Sequence, residues 1–395
     1  MWSIRISLVC TVLFWVTFSL KSQPEKQLGD QLRQAGFENI RCVQNNNTIY
    51  VAFEDRVDQQ PWRGLSRLIE ICRNEGIEQP VSVNLETDGI ARVNMLYEGG
   101  KILDVTANTH PCEEALGKIS ATSRSYGKLL ITALPVLSLR NSRTDVLFTV
   151  NAGVAPTLQM ELWKGAQVTA QIIFPIYNSM EEQFDHIQPG IISFTQRIKI
   201  VGNWQMIGSV GNFTDQRAGA HLQLRYDQPT GWWGIAGDGG ITGSSTTWNG
   251  EWSFSKWKRI DFQMSAYFYL PVWNTKFEVV GGRFVGGDYG IRGNLSRRFR
   301  NVTINLYGML TDGEINGGFS FIVPLAFTRL KKIHPVSVVW PQWYDWEYSA
   351  QSGPEYVDRG LGITYLTRLY ERADESYWNP NYIKSQIIYY FNTQK

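Results

Sequence analysis

The chain has 395 residues and a formal net charge of only +2, because 38 Lys and Arg nearly balance 36 Asp and Glu. This balance argues against a nucleic-acid-binding protein, which usually carries a clustered basic surface. Aromatic residues make up 13% of the chain and glycine occurs 36 times. Such a composition argues against a soluble helical protein and is typical of many strands joined by tight turns.

The pattern of residues 1–22 predicts an export signal. One positive charge near the start precedes an apolar run from Ile6 to Leu20, and the small residues Ser19 and Ser22 precede a plausible cleavage point. A single membrane-anchor helix is the alternative, but the run is short for a bilayer span of about 20 residues. Later apolar stretches are shorter still, so a membrane location for the rest of the chain requires a closed barrel.

Residues 23–110 predict a small α+β domain with the order helix, two strands, helix, two strands. Leu28 and Leu32 share one face of the first helix, and apolar residues recur at helical spacing from Trp62 to Cys72. Asp88-Gly89 predicts a tight hairpin turn. Residues 111–126 are predicted to be a linker, within a stretch from residue 100 onward whose glycines, prolines and serines break regular elements.

From residue 127 to the end, apolar and polar residues alternate with the period of a β-strand. In Phe262–Leu270 and Val302–Leu310, for example, every second residue is apolar or small. Each run is about ten residues long, the length of a tilted strand that crosses a bilayer. The pattern predicts a mostly β fold with an antiparallel transmembrane β-barrel of about 14–16 strands over residues 127–395. Turn signals separate the runs at Asn141-Ser142, Lys164-Gly165, Gly202-Asn203, Asp227–Gly231, Gly286-Gly287 and Asp312-Gly313.

A soluble β-sandwich alternates in the same way and is the competing interpretation. Arg, Lys and Gln in mid-strand favour a barrel, because a wet lumen accommodates them. Tryptophans near the ends of strands favour a membrane interface. The run Ser385–Phe391 is predicted to be an aromatic-ended final strand, similar to the assembly signal of bacterial outer-membrane barrels.

Three stretches carry a resemblance to a known family: Gly281–Gly290, Leu295–Phe299 and Gly317–Leu325. They are similar to a run in the YjbH-type outer-membrane family of exopolysaccharide and capsule gene clusters. That run has a glycine-flanked Asp-aromatic-Gly, then Ser-Arg-x-Phe, then a glycine-led strand that ends in Pro-Leu. Val51–Ile69 and Val81–Leu96 resemble the periplasmic module of the same family.

The resemblance implies a non-enzymatic protein of the cell outer membrane, with residues 23–110 in the periplasm. It implies a role in the export, assembly or surface display of an exopolysaccharide or capsule. The implied partners are outer-membrane lipid, the polysaccharide, and polysaccharide-assembly proteins of the periplasm or outer membrane, with no nucleic acid and no cofactor.

Two sets of side chains are candidate sites. The first shares one strand face by parity and predicts a polar network in the lumen, with a register-fixing role favoured over a row of ligand contacts; it comprises Asp288, Arg292, Asn294, Ser296 and Arg298. An arginine, Arg292 or a neighbour, is the expected partner of Asp288. The second is an aromatic cluster in a late loop, a candidate for glycan contact, with an interfacial girdle as the favoured alternative; it comprises Trp340, Trp343 and Trp346.

Little in the sequence indicates catalysis. The four histidines lie in no zinc-binding pattern, and no nucleophile-elbow motif occurs, so we expect no enzyme activity and no metal site. Two alternatives stay open: a general solute pore, and a lipid-modifying barrel enzyme that uses His221 in the lumen. Cys42, Cys72 and Cys112 allow one disulfide, such as Cys42–Cys72, or buried thiols.

Overall fold

The structure is a computed structural model that describes residues 23–58, 60–140, 148–325, 329–350, 356 and 359–393. The predicted export signal and the predicted turn at Asn141-Ser142 lie outside these residues. The chain is mostly β, with 55% strand and 17% helix, and most strands belong to one large antiparallel-rich sheet. The predicted mostly β fold class is thus confirmed at this level.

Residues 24–116 form a separate five-stranded sheet, which we call the front sheet, together with three helices. Its strand order is the chain order; the second and third strands are parallel and the other neighbours antiparallel. The elements are α1 (Pro24–Gln34), β1 (Glu38–Asn45), β2 (Thr48–Glu54), α2 (Pro61–Asn74), β3 (Val81–Thr87), β4 (Ile90–Glu98), β5 (Lys101–Thr106) and α3 (His110–Leu116).

The six predicted elements of this region are confirmed. Two further elements, β5 and α3, were not predicted. Asp88 and Gly89 form the turn between β3 and β4 with φ values of 53° and 70°, the left-handed backbone that such a turn requires. The assignment of residues 100–126 as irregular is wrong, because β5 adds an edge strand and α3 buries Cys112 and Leu116 against Ala52. These two elements are short, and contact with the sheet stabilises them.

The three cysteines of the front region are free thiols. Burial raises the pKa of Cys42, Cys72 and Cys112 to about 12 in each case. A thiol reacts through its thiolate, so these side chains act as small apolar residues of the core. Of the two alternatives left open by the sequence, the structure has free thiols, with Cys72 and Cys112 buried and Cys42 half-buried.

The large sheet contains fifteen strands of the described chain. Consecutive strands pair as antiparallel hairpins from β6 to β12 and from β14 to β18, and β12 also pairs with β14. Its strands are β6 (Leu129–Arg140), β7 (Thr149–Trp163), β8 (Ala166–Asn178), β9 (Gln188–Lys199), β10 (Trp204–Phe213), β11 (Arg217–Asp227), β12 (Trp233–Trp248), β13 (Glu251–Phe254), β14 (Arg259–Leu270), β15 (Thr275–Arg283), β16 (Tyr289–Phe299), β17 (Val302–Thr311), β18 (Glu314–Pro324), β19 (Val336–Val338) and β20 (Trp343–Ser349).

This sheet curls strongly. In a flat sheet β6 and β20, twelve positions apart in the strand order, would be separated by roughly 58 Å at about 4.8 Å per strand. The indole Nε1 of Trp346 on β20 nevertheless donates a hydrogen bond to the Leu137 carbonyl oxygen on β6, at 2.9 Å. The curl therefore brings the two edges side by side. Among the described residues β6 forms a ladder with β7 and with the short β19, and β20 forms one with β18.

The two faces of the curled sheet differ in chemistry, as the alternation predicts. On β14, Phe262, Met264 and Phe268 are 48%, 74% and 44% exposed on the outer face, whereas Asp261 and Tyr269 are buried on the inner face. Many other large apolar side chains are exposed in this way, including Leu222, Leu224, Ile235, Phe277, Val279, Ile291, Leu295, Ile304, Leu306, Leu310 and Phe319. The sheet thus has a broad apolar exterior and a polar interior.

The front sheet lies at one end of the curled sheet, which we call the near end. There the backbone N–H of Gly165 donates to the Asp88 carbonyl oxygen at 2.6 Å, and Lys199 pairs with Glu113 at 3.0 Å. The opposite end, which carries the turn at Asp312-Gly313, is the far end. The buried core of the front sheet continues into the C-terminal helices, and a self-contained domain over residues 23–110 stays a prediction.

The predicted final strand at Ser385–Phe391 is wrong, because this run belongs to a helix. Two helices end the described chain: α4 (Glu371–Tyr377) and α5 (Pro380–Thr393). The last helix packs on α2, where the rings of Tyr390 and Trp62 lie 5.8 Å apart and the Tyr390 hydroxyl donates to Glu70 at 2.8 Å. No helix in the described part of the chain combines the length and the hydropathy needed to cross a bilayer.

Candidate functional site inside the curled sheet

The C-terminal part of the chain runs through the interior of the curled sheet from the far end to the near end. We call residues 359–379 the interior segment. At the far end Arg359 pairs with Asp312 at 3.0 Å, and the backbone N–H of Gly362 donates to Asp288 at 2.8 Å. At the near end the Tyr377 hydroxyl donates to the Asn301 carbonyl oxygen at 2.7 Å. The tail therefore occupies the space that an open lumen would need.

Charged side chains fix the interior segment to strands that lie far apart in the sheet order. Asp374 accepts from Arg197 of β9 at 3.0 Å, and Arg372 pairs with Asp345 of β20 at 3.3 Å. These two strands would be roughly 43 Å apart in a flat sheet of the same order, since nine steps of about 4.8 Å separate them. One seven-residue helix touches both, so the sheet wraps around α4.

Part of the predicted polar network lines a chamber between the inner face and the interior segment. The chamber has a volume of about 210 Å³. Arg292, Asn294 and Ser296 line it: Arg292 pairs with Glu347 at 3.0 Å and donates to Asn294 at 3.0 Å, and Ser296 donates to Asn305 at 2.9 Å. Arg292 also lies 3.7 Å from the ring centre of Tyr307.

The other two members of the predicted network lie apart from this chamber. Arg298 donates to Ser376 at 3.1 Å and sits over the ring of Tyr382 at 4.7 Å, so it holds the interior segment. Asp288 precedes β16 and accepts the backbone N–H of Gly362. Among the described residues Asp288 contacts the backbone of the tail, and the arginine expected to pair with it, Arg292, pairs with Glu347 instead.

The charges around the chamber are balanced. Lys276 pairs with Glu278 at 2.9 Å, and Arg292 and Arg372 both pair with Glu347, at 3.0 Å and 3.4 Å. With Glu375 the lining has three carboxylates for three cations, so the chamber offers no net charge to attract an ion. Its chemistry suits water or a neutral hydroxylated molecule.

The three predicted glycan-contact tryptophans do not share a surface. The late-loop assignment is wrong for two of them, because Trp343 and Trp346 belong to β20 and point to opposite faces of the strand. Trp343 stacks on Tyr377 with ring centres 4.0 Å apart and is buried. Trp346 bridges to β6, whereas Trp340 is 63% exposed before the strand begins.

A buried acidic cluster lies where the front sheet meets β7. Carboxylate oxygens of Glu54, Asp88 and Glu161 lie within 4.8 Å of one another. Glu54 accepts from Asn39 at 2.6 Å, and Ser125 donates to Glu161 at 2.5 Å. The guanidinium of Arg56 lies 3.5 Å from Glu161.

The Glu54–Asp88–Glu161 cluster is therefore an internally bonded structural group. Protein donors already occupy its oxygens, and Arg56 supplies the positive charge that a cation would bring. Burial raises the pKa of Glu54 above its ordinary value. Burial, and then the negative charge of Glu161, raise the pKa of Asp88 to about 6.

These shifts predict a pH dependence of stability. Because the pKa of Asp88 is higher in the folded protein than its ordinary 3.8, folding is favoured by protonation. This contribution is fully present below about pH 4 and is lost as the pH rises through about 6. We expect Asp88→Asn, which mimics the protonated carboxyl, to gain unfolding free energy relative to wild type between pH 4 and 7.

The measurement is urea unfolding of the two proteins in detergent across that pH range. The matched control is Asp30→Asn, since the Asp30 side chain is 62% exposed and its charge is solvated in both states. Equal pH slopes for Asp88→Asn and wild type would show that Asp88 is ionised throughout and would contradict the prediction.

His221, the residue of the enzymatic alternative, lies on the inner face. Its ring lies edge-on to Tyr365 with centres 5.7 Å apart, and its Nε2 is 3.9 Å from Asp238.

The interior segment was not predicted from the sequence, although it supplies many of the contacts to the inner face. The residues that make these contacts include Arg368, Arg372, Asp374 and Glu375. The signal that was available is this dense run of charges just after the last strand.

Comparisons with known proteins add no assignment, since no family model, no curated protein and no solved structure matches the chain.

Proposed function

We propose that this protein is an outer-membrane β-barrel, filled by its own tail, that takes part in the assembly, export or surface display of an extracellular polysaccharide. The observation that carries the membrane part is the apolar exterior of the curled sheet. Soluble proteins rarely expose contiguous apolar patches larger than a few hundred Å². Exposed side chains such as Met264, Val279 and Ile291 on the successive strands β14, β15 and β16 support a lipid contact instead.

The curl supports a closed barrel rather than an open sheet. A barrel in a bilayer must satisfy its backbone polar groups, so its edges must meet. The hydrogen bond from Trp346 to the Leu137 carbonyl oxygen and the pairing of β19 with β6 lie along the line where they meet. In this proposal the near end faces the periplasm, because the front sheet packs there.

The polysaccharide part rests on the resemblance in Gly281–Gly290, Leu295–Phe299 and Gly317–Leu325 to the YjbH-type family. The balanced, hydroxyl- and amide-lined chamber beside Asn294 and Ser296 is compatible with it, because neutral hydroxylated groups suit such a lining. A non-enzymatic role is proposed because the four histidines lie in no zinc-binding pattern and the sequence has no nucleophile-elbow motif. A role as a general solute pore is disfavoured, because the interior segment crosses the lumen and is held by ion pairs at both sides.

Three measurements test the proposal. The protein should fractionate with the outer membrane, resist extraction by urea, and change mobility on a gel when heated. Deletion of the gene in its host should lower the amount of surface polysaccharide. Liposomes that contain the purified protein should swell no faster in small sugars than empty liposomes. A freely soluble protein, normal polysaccharide in the deletion strain, or fast swelling would each remove one part of the proposal.

A further inference from the structure

A second cavity, the junction cavity, lies between the front sheet, β9, β20 and the interior segment. Its volume is about 180 Å³. One water molecule needs only about 10–15 Å³ of such space, so the cavity has room for a small ligand of several non-hydrogen atoms. Gln60, Arg197, Arg368, Trp340 and Trp343 are among the residues that line it.

Five side chains that line this cavity have buried polar atoms without a hydrogen-bond partner in the described structure. The atoms are Oδ2 of Asp55, Nε2 and Oε1 of Gln60, Oγ1 of Thr132, Nε of Arg197 and Nε of Arg368. Gln60, Arg197 and Arg368 are only 2%, 6% and 7% exposed. A buried polar atom without a partner costs about 1–3 kcal/mol, so native proteins rarely retain one without a use.

The two arginines are already oriented by the protein. Arg197 binds Asp374 through Nη2 at 3.0 Å, and Arg368 binds Glu371 through Nη2 at 3.1 Å. Each guanidinium therefore keeps its Nε–H as a spare donor on a group that cannot rotate freely. Gln60 adds a donor and an acceptor from the front sheet side. Gln60, Arg197 and Arg368 together offer three donors and one acceptor at the wall of the cavity.

The lining offers no unpaired cation to an anion. Arg56, Arg197 and Arg368 each already lie beside a carboxylate, at 3.5, 3.0 and 3.1 Å. Burial raises the pKa of Asp55 to about 8 and that of Glu86 to about 7, so the carboxyl groups of the lining are not all ionised near neutral pH. A negatively charged ligand would therefore find no free positive charge here, whereas a neutral hydroxylated ligand needs none. Hydroxyl groups both donate and accept, as the unpartnered atoms require.

Aromatic side chains complete the lining. Trp340 lines the cavity and is 63% exposed, so one face of its indole is open to a ligand at the rim. Trp343 lines the cavity from β20 while its ring stacks on Tyr377. Aromatic faces stack on the C–H faces of sugar rings. Two of the three tryptophans predicted to contact a glycan thus border the same cavity.

We infer that the junction cavity binds one neutral sugar unit of a glycan, with hydrogen bonds to Gln60, Arg197 and Arg368 and stacking on Trp340. This inference rests on the proposed role in polysaccharide handling and places the contact at the near end, where the front sheet, the curled sheet and the tail meet.

The test is saturation-transfer-difference NMR on the full-length protein in detergent micelles. The probes are glucose, galactose and mannose, with glucuronate as the anionic comparator. We expect saturable transfer from at least one neutral sugar in the millimolar range and weaker transfer from glucuronate. Gln60→Leu should weaken binding by roughly tenfold while leaving stability unchanged or raised, because it removes two unpartnered polar atoms from a buried site.

Trp340→Ala should weaken binding to a similar degree. The matched control is Trp273→Ala, because Trp273 is 59% exposed at the same end of the sheet and does not line the cavity. The absence of saturable transfer from all three neutral sugars, or binding that survives both Gln60→Leu and Trp340→Ala, would overturn the inference. Tighter binding of glucuronate would also overturn it.

The experiments distinguish failure of the junction-cavity assignment from failure of the proposed function. If no sugar binds but the deletion strain loses surface polysaccharide, the junction cavity is not the glycan site and the proposed function stands. If a sugar binds but the deletion strain has normal polysaccharide, the cavity assignment stands and the biological role falls.

Discussion

Asp374→Asn should destabilise the folded protein by about 3–5 kcal/mol, the usual cost of removing one partner from a buried ion pair. Asp374 lies 2.9 Å from Arg92 of the front sheet, 3.0 Å from Arg197 of β9 and 4.0 Å from Arg368 of the interior segment. Loss of its charge leaves three guanidinium groups around a neutral amide. Because they belong to three parts of the chain, we expect all three to loosen together.

The measurement is the urea midpoint in detergent, followed by tryptophan fluorescence and by the heat-induced mobility change on a gel. The matched control is Glu181→Gln. Glu181 pairs with Arg140 at 2.6 Å, but its side chain is 54% exposed, so its removal should cost no more than about 1 kcal/mol. A midpoint for Asp374→Asn as close to wild type as that of Glu181→Gln would mean that the cluster does not join the three parts.

Removal of residues 356–395 should convert a protein that conducts no ions into a channel. The truncation takes away the interior segment, whose contacts with Asp288, Arg197 and Asp345 cross the lumen from the far end to the near end. In planar bilayers we expect stepwise conductance from the truncated protein and none from wild type. This follows from the proposed barrel, since an open sheet would give leakage without defined steps.

A shorter truncation provides the control. Removal of residues 380–395 deletes α5 but leaves the ion pairs of Arg372 and Asp374 in place. This variant should stay silent while its front sheet becomes more sensitive to protease, because α5 packs on α2. If the longer truncation does not fold, Arg372→Ala combined with Asp374→Ala tests the same contacts in a full-length chain. Silence of every folded variant would contradict a lumen filled by the tail.

Much of the fold could be predicted from the sequence because the relevant signals are local. Alternation in Phe262–Leu270 places apolar residues on the outer face regardless of which strand is the neighbour. Asp88-Gly89 fixes its turn through the backbone that these two residues tolerate. Such patterns need no knowledge of tertiary contacts.

The end of the chain was wrongly predicted to be a strand because its amino-acid composition favours a strand, whereas the spacing of its apolar residues favours a helix. Ser385–Phe391 is rich in β-branched and aromatic residues, which favours a strand by propensity. The buried residues, however, include Ile383 and Ile387, four apart, with Tyr390 three further on, which is helical spacing. Pro380 at the first helical position was a second available signal. Contact with α2 decides between the two, and that contact is invisible in the sequence.

The predictions of the candidate sites were partly wrong because they, too, depend on contacts between residues that are distant in sequence. Parity correctly groups Arg292, Asn294 and Ser296 on one face of β16, but it cannot show that the tail occupies the space in front of them. Asp288 bonds to Gly362, more than 70 residues away in sequence, and the partners of Arg372 on β20 come from the edge of the sheet. A single sequence offers no means of pairing such distant positions.

The return of the tail has a topological consequence. Thirteen long strands, β6–β12, β14–β18 and β20, run between the near and far ends, and an odd number of passes leaves the chain on the side opposite to its start. The interior segment makes a fourteenth pass and brings the carboxyl end back beside the amino-terminal region. At the near end Asp374 of this pass pairs with Arg92 of β4 at 2.9 Å, and beyond it Tyr390 of α5 donates to Glu70 of α2 at 2.8 Å. The last helix and the front sheet are therefore neighbours in space although more than 250 residues of the curled sheet separate them in sequence.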